Sequence, residues 1–223
     1  MADICINFTV PINLNPKFDI IWSFEYSIVG GEEASAGFTT FLYQTGGNLL
    51  NGGEYSSLGY GPKGSRSGIS EGYICIGLDS DGEFSKQYLM NTGVNYNNSD
   101  TLTVRSKKST DPFYLIDSFP LSSYEIPVVT QSEIYNRLKF CLTDSGNTLH
   151  MYCLDKASNE YFLVKTVKPN LNIAYNPSNP IMLNVGFSYA SPVKPGMPKA
   201  IFNIKNVNVQ GVSTSIMSVA SAT

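Results

Sequence analysis

An all-β fold, two antiparallel sheets packed as a jelly-roll sandwich, follows from three features of the 223-residue sequence. Apolar and polar residues alternate at period two in segment after segment, no comparable stretch keeps a helical period, and glycine-rich turns separate the segments. Composition agrees, with 42% apolar and only 15% charged residues, 14 Tyr and 12 Phe, as half-buried sheets require. A chain of this length can bury one sizeable core, and large sandwiches reach this size as one domain. The expected organisation is an N-terminal arm over 1–16, a sandwich over 17–210 and a C-terminal tail over 211–223. Closure into a small barrel is the lesser alternative.

The elements follow in order. Phe18 to Val29 (FDIIWSFEYSIV) alternates and ends at Gly30-Gly31, and Gly37 to Gln44 (GFTTFLYQ) follows as its apolar neighbour. Asn48 to Gly72 is rich in glycine and serine, with too little apolar content for core, and reads as a long surface excursion. Tyr73 to Leu78 (YICIGL) is almost continuously apolar, the pattern of a central strand buried on both faces. Asp79-Ser80-Asp81-Gly82 then makes a turn. Thr101–Arg105, Arg137–Thr143, Thr148–Leu154, Tyr161–Lys168, Ile181–Tyr189 and Ala200–Val209 complete the strands, and 137–154 forms a hairpin.

Net charge is −3 and the basic residues are scattered, so nucleic acid is not an expected partner. No run of about 18 apolar residues and no basic-then-apolar N-terminal segment occurs, so neither a membrane span nor a secretion signal is expected. Cys5, Cys75, Cys141 and Cys153 are widely spaced, without a CxxC pair or a dense disulfide pattern, and read as buried thiols. Alternation around the 144–147 turn places Cys141 and Cys153 on opposite faces, which forbids a bridge between them. The sequons at Asn7 and Asn97 are expected to be idle without a secretion signal.

The order of several motifs resembles the L-type (legume-type) lectin family, particularly its bacterial and phage-borne members. FDIIWSFEYSI with AGFTTFLYQ, LGYG at 58–61, GISEGYICIGLDSDGEFS at 68–85, LTVR at 102–105, YLIDS at 114–118, LNVGFSYAS at 183–191 and FNIKNVNV at 202–209 carry the likeness, over about 17–210. The resemblance implies a concanavalin A-like jelly roll. It also implies a sugar site made of an Asp, a backbone glycine from the Gly-rich loop and an Asn on a loop stiffened by calcium. A carboxylate accepts hydroxyl hydrogens, glycine permits close backbone approach, and the metal lowers the ordering cost.

Matched residue by residue, the expected site departs from that pattern. Ala36 stands at the position of the sugar-gripping Asp, and Gly77 where the metal-binding strand of plant members carries Glu. Gly59, Tyr60, Asp81 and Tyr55 are the remaining carbohydrate-binding candidates, the two tyrosines as stacking platforms. Asp79 and Asp81 are the metal candidates, with calcium the only cofactor in view. The plainer alternative is a β-turn capped by its own side chains. Asp79-x-Asp81-x-Glu83 also imitates the carboxylate triplet of glucanases sharing this fold. Ser80 and Gly82 fit a turn better than a catalytic strand, so no enzymatic activity is expected. His150, the single histidine, has no nucleophile motif beside it.

Three function classes follow. With the main carboxylate replaced, the leading expectation is a non-catalytic structural or surface-attachment component of a larger assembly, a homo-oligomeric protein of a phage or virus particle, made in the cytoplasm. Its partners would be protein subunits and a cell-surface glycan. A working glycan-binding lectin module is the alternative, and a glycoside hydrolase the third.

Overall fold

The structure is a computed structural model and describes residues 6–14, 18–29, 37–45, 57–62, 68–69, 72–80, 82–85, 100–108, 111–130, 134–169, 171, 178, 181–190 and 200–213. Among these residues, eleven strands form two antiparallel sheets: β1 (Ile6–Leu14), β2 (Phe18–Val29), β3 (Gly37–Gln44), β4 (Gly72–Asp79), β5 (Thr101–Lys108), β6 (Asp111–Pro120), β7 (Asn136–Thr143), β8 (Thr148–Asp155), β9 (Glu160–Val167), β10 (Ile181–Ala190) and β11 (Ile201–Ser213). The six-stranded sheet runs β1-β10-β3-β4-β5-β6 and the five-stranded sheet β11-β2-β7-β8-β9. This is the two-sheet sandwich that the alternation predicts.

Alternation on β2 builds the interior. Ile20, Trp22, Phe24, Tyr26 and Ile28 are all at most 1% exposed and face the other sheet, while Ile21 and Ser23 point outward and are half-buried. Opposite them lie Phe38, Leu42, Ile74, Ile76, Leu78, Leu102, Val104 and Phe187. Phe24 meets Phe187 edge to face, with centroids 4.9 Å apart at 90°. Burying each such side chain contributes on the order of 2 kcal/mol, so this seam is the main cohesive element.

The six-stranded sheet is covered on its far side too. Cys75 on β4 points away from the main core into a second cluster with Phe41, Tyr43, Leu58, Tyr60, Ile69, Phe84 and Phe113. β4, flanked by β3 and β5, is therefore buried on both faces, which explains its nearly unbroken apolar sequence.

Four features differ from the sequence expectations. Segment 6–14 is not an arm but an edge strand paired with β10, and β11 runs past 210 to Ser213. The Gly-rich excursion is not wholly superficial, because Leu58, Tyr60 and Ile69 are 0–2% exposed in the second core. A few large side chains suffice to bury a loop otherwise poor in apolar residues. Segment 121–130, which no periodicity marks, also seals the main core with Leu121, Ile126 and Val128. It is tied down by the Val128 N–H donating to Asp100 Oδ1 at 3.0 Å and the Thr130 N–H donating to Ile28 O at 2.8 Å.

The β7–β8 register pairs Leu138 with Cys153 and Cys141 with His150, so the two thiols face opposite sides of the sheet, and both are free. Burial pushes each of them up to about 11.

Candidate functional site

One end of the six-stranded sheet gathers the start of β3, the end of β4 and the end of β10. The register places Gly37 opposite both Asp79 and Ala190. A side chain at Gly37 would run into Leu78 O at 2.6 Å and Leu58 Cδ2 at 2.7 Å, so glycine here lets the Gly-rich turn close over the sheet end. Ser188 on β10 anchors that turn. Its hydroxyl donates to Leu58 O at 2.9 Å and lies 2.6 Å from Thr39 Oγ1.

Within the turn, Leu58 and Gly59 both have left-handed backbones, with φ of 46° and 72°. A Cβ on Gly59 would sit 3.1 Å from Ser188 Cβ and 3.2 Å from Tyr189 O, so glycine is demanded by both conformation and space. The N–H groups of Tyr60 and Gly61 both donate to Ser57 O, at 2.8 and 2.9 Å. The Gly59 N–H has no hydrogen-bond partner among the described residues.

Tyr60 is placed differently from its sequence expectation. It is 0% exposed, packed 5.3 Å from Phe41 and edge-on to Phe113 at 5.6 Å, so its ring has no free face for a sugar. Burial drives its phenol well above the usual tyrosine range, and its hydroxyl has no hydrogen-bond partner among the described residues. Tyr55, Asp81 and Ala36 lie outside the described residues.

Asp79, the last residue of β4, is 1% exposed. Its Oδ2 accepts the Phe84 N–H at 2.5 Å, folding the chain into the 3-10 turn Glu83–Ser85. The other side of the same residue is held by Arg105 on β5, which sequence reasoning missed. Arg105 is 4% exposed; its Nε and Nη2 donate to Phe84 O at 3.2 and 2.5 Å, and its Nη1 donates to Phe113 O at 2.9 Å. Its guanidinium lies 4.8 Å from the centre of the Phe84 ring. Phe84 is thus gripped by a carboxylate at its N–H and a guanidinium at its C=O. One signal was present in the sequence: on Thr101–Lys108 the alternation that sends Leu102 and Val104 inward sends Arg105 to the face of Cys75.

The described part of this turn departs from the metal-held loop that the resemblance implies, while Asp81, the second metal candidate, lies outside the described residues. A side chain at Gly77, where plant members carry their ligand Glu, would collide with the Phe84 ring, so that ring fills the space. Asp79 is committed to a backbone N–H, and a fixed guanidinium supplies positive charge beside the same turn. Among the described residues no three His, Cys, Asp or Glu side chains come together.

No protein-family model and no curated protein sequence matches the chain. Solved structures do match. A Lotus tetragonolobus seed lectin is 11% identical with a TM-score of 0.59, covering 93% of this chain and 80% of that one. A Bauhinia forficata lectin in complex with GalNAc is 11% identical with a TM-score of 0.60, covering 93% and 79%. The winged bean acidic lectin complexed with methyl-α-D-galactose is 12% identical with a TM-score of 0.54, covering 93% and 80%. The chain therefore has the L-type lectin-like, concanavalin A-like fold. Likeness at this identity speaks to the fold and not to a phage or virion origin.

Proposed function

We propose that the chain is a non-catalytic glycan-binding module whose sugar sits at the sheet end where Gly37, the Leu58–Gly61 turn and the Asp79 turn converge. The observation that carries this reading is the Gly59 N–H, without a hydrogen-bond partner among the described residues, on a turn that Ser188 anchors and Gly37 lets close. A fixed backbone donor of this kind costs little further ordering on binding. The sugar complexes of the Bauhinia and winged bean lectins support it by analogy of fold alone. Asp81 and Tyr55 would complete the site. The Asp79–Arg105 grip would do the work of a calcium ion, with calcium on Asp79 and Asp81 as the competing possibility. Asp79 is a poor candidate for hydrolysis, being buried and already hydrogen-bonded.

A glycan array probed with and without EDTA tests this. Binding of a defined glycan that survives EDTA and is weakened by Asp81→Asn or Tyr55→Ala supports the reading; no binding to any glycan defeats it. Loss of binding in EDTA would restore the calcium-held loop. The second reading, a subunit of a larger and homo-oligomeric assembly such as a phage particle, is favoured by Ala36 at the sugar-gripping carboxylate position. Silence on the array together with a stable oligomer by light scattering would favour it.

A further inference from the structure

We propose that the outer face of the five-stranded sheet carries a separate binding site for a saccharide unit bearing a carboxylate or a sulfate. This site lies on the other sheet from the Gly59 turn and does not depend on the reading given above.

The site follows from register. On β2 the outward residues Ile21, Ser23 and Glu25 make a central row, with the short Ser23 at its middle. Ser23 is flanked by Asn208 of β11 and Lys139 of β7, Ile21 by Gln210 and Cys141, and Glu25 by Lys205 and Arg137. Ser23, set between the longer Asn208 and Lys139, opens a trough of about 420 Å3, with Tyr161 also in its wall. That volume falls within the range of small-ligand sites.

Charge selects the ligand. Glu25 accepts a hydrogen bond from Arg137 Nε at 2.9 Å and lies 3.6 Å from Lys205 Nζ, so its one charge is shared between two cations. Lys139 is a third cation. Its Nζ sits 4.2 Å from the centre of the Tyr161 ring and 4.7 Å from that of Tyr152, and no carboxylate pairs with it among the described residues. Asp19, the next acidic group along β2, is buried, which pushes its carboxyl up, and His150 is the charged neighbour that acts against this. In a chain of net charge −3 this trough is a local reversal of sign.

The opposite wall suits hydroxyls. Asn208 and Gln210 are exposed amides, each offering a donor and an acceptor, as adjacent sugar hydroxyls require, and Asn206 beside them is exposed and hydrogen-bonds Glu25. Asn206 is there because β11 bulges between Lys205 and Asn208, three residues spanning what two span on β2. It is held at φ 52°, in the left-handed region. The inserted residue gives the trough one polar side chain more than a regular strand would. An ammonium on one wall and amides on the other, over a floor of Ser23 and the apolar Ile21, match an anionic group on a polyhydroxylated ring.

The test is an NMR titration of the full chain with glucuronate, glucose 6-sulfate, neutral glucose and inorganic sulfate, at low and high salt. Shifts at the Asn208 and Gln210 side-chain amides with glucuronate or glucose 6-sulfate are expected, weaker at high salt. Lys139→Met keeps the stem between the two tyrosines and is expected to reduce affinity about tenfold, the scale of one lost charge-assisted contact. Ser23→Leu, which fills the trough without touching the core, is expected to abolish binding. The stronger of the two anionic ligands names the natural group. An equal response to neutral glucose, an equal response to inorganic sulfate, shifts confined to the Gly59 turn, or unchanged affinity in both folded variants would each overturn the proposal.

Discussion

At the scale of single residues, burial decides roles that residue type leaves open. Tyr60 looks like a stacking platform in sequence but is a core ring whose hydroxyl lacks a hydrogen-bond partner among the described residues. Tyr60→Phe is therefore expected to be neutral or stabilising in urea unfolding, whereas Tyr60→Ala should cost roughly 3–5 kcal/mol by leaving a cavity. Marked destabilisation by Tyr60→Phe would mean the hydroxyl has a partner after all. Arg105 carries the opposite lesson, a charge in the interior stabilised by three carbonyl contacts. Arg105→Met should lower stability by about 1–3 kcal/mol for each carbonyl left unpaired, measured by denaturation, and EDTA should leave the midpoint of the native protein unchanged. A midpoint lowered by EDTA would show that a metal, and not Arg105, holds the turn.

Elements bring such residues together through register, and here sequence legibility was uneven. The strand pattern of β2, β4, β7 and β8 was open to reading because alternation records which face is buried, and the thiols of Cys141 and Cys153 fell on opposite faces as that pattern required. The edge strand β1 and segment 121–130 were not open to reading, since their place depends on partners far along the chain. The Lys205–Glu25–Arg137 row likewise exists only once β11, β2 and β7 lie side by side. Burial acts to raise the Glu25 carboxyl, but hydrogen bonds from Arg137 and Asn206 and the nearby cations leave it below its usual 4.5. A depressed carboxyl stabilises the fold above about pH 4.5 and loses that contribution as pH falls through its folded value. Stability measured across pH 3 to 6 should thus fall more shallowly on the acid side in Glu25→Gln than in the parent; parallel curves would remove Glu25 from the balance.

For the whole molecule, the six-stranded sheet is the shared wall of two cores, so neither should open alone. Trp22, the single tryptophan, reports on the main core and Cys75, 0% exposed, on the second. Tryptophan fluorescence and Cys75 alkylation are expected to follow one denaturation curve. Alkylation at lower denaturant than the fluorescence change would show that the Gly-rich turn and second core unfold as a separate unit.

The sequence by itself determined the all-β class, the central strand and the hairpin, because each is local or periodic information. Only the tertiary structure decided that Tyr60 is core, that Arg105 and Asp79 grip Phe84 from both sides, and that an amide wall faces a lysine across β2. Those facts join residues 21 and 26 positions apart, or strands from opposite ends of the chain. Their chemistry depends on burial and distance, which packing creates and no local pattern records.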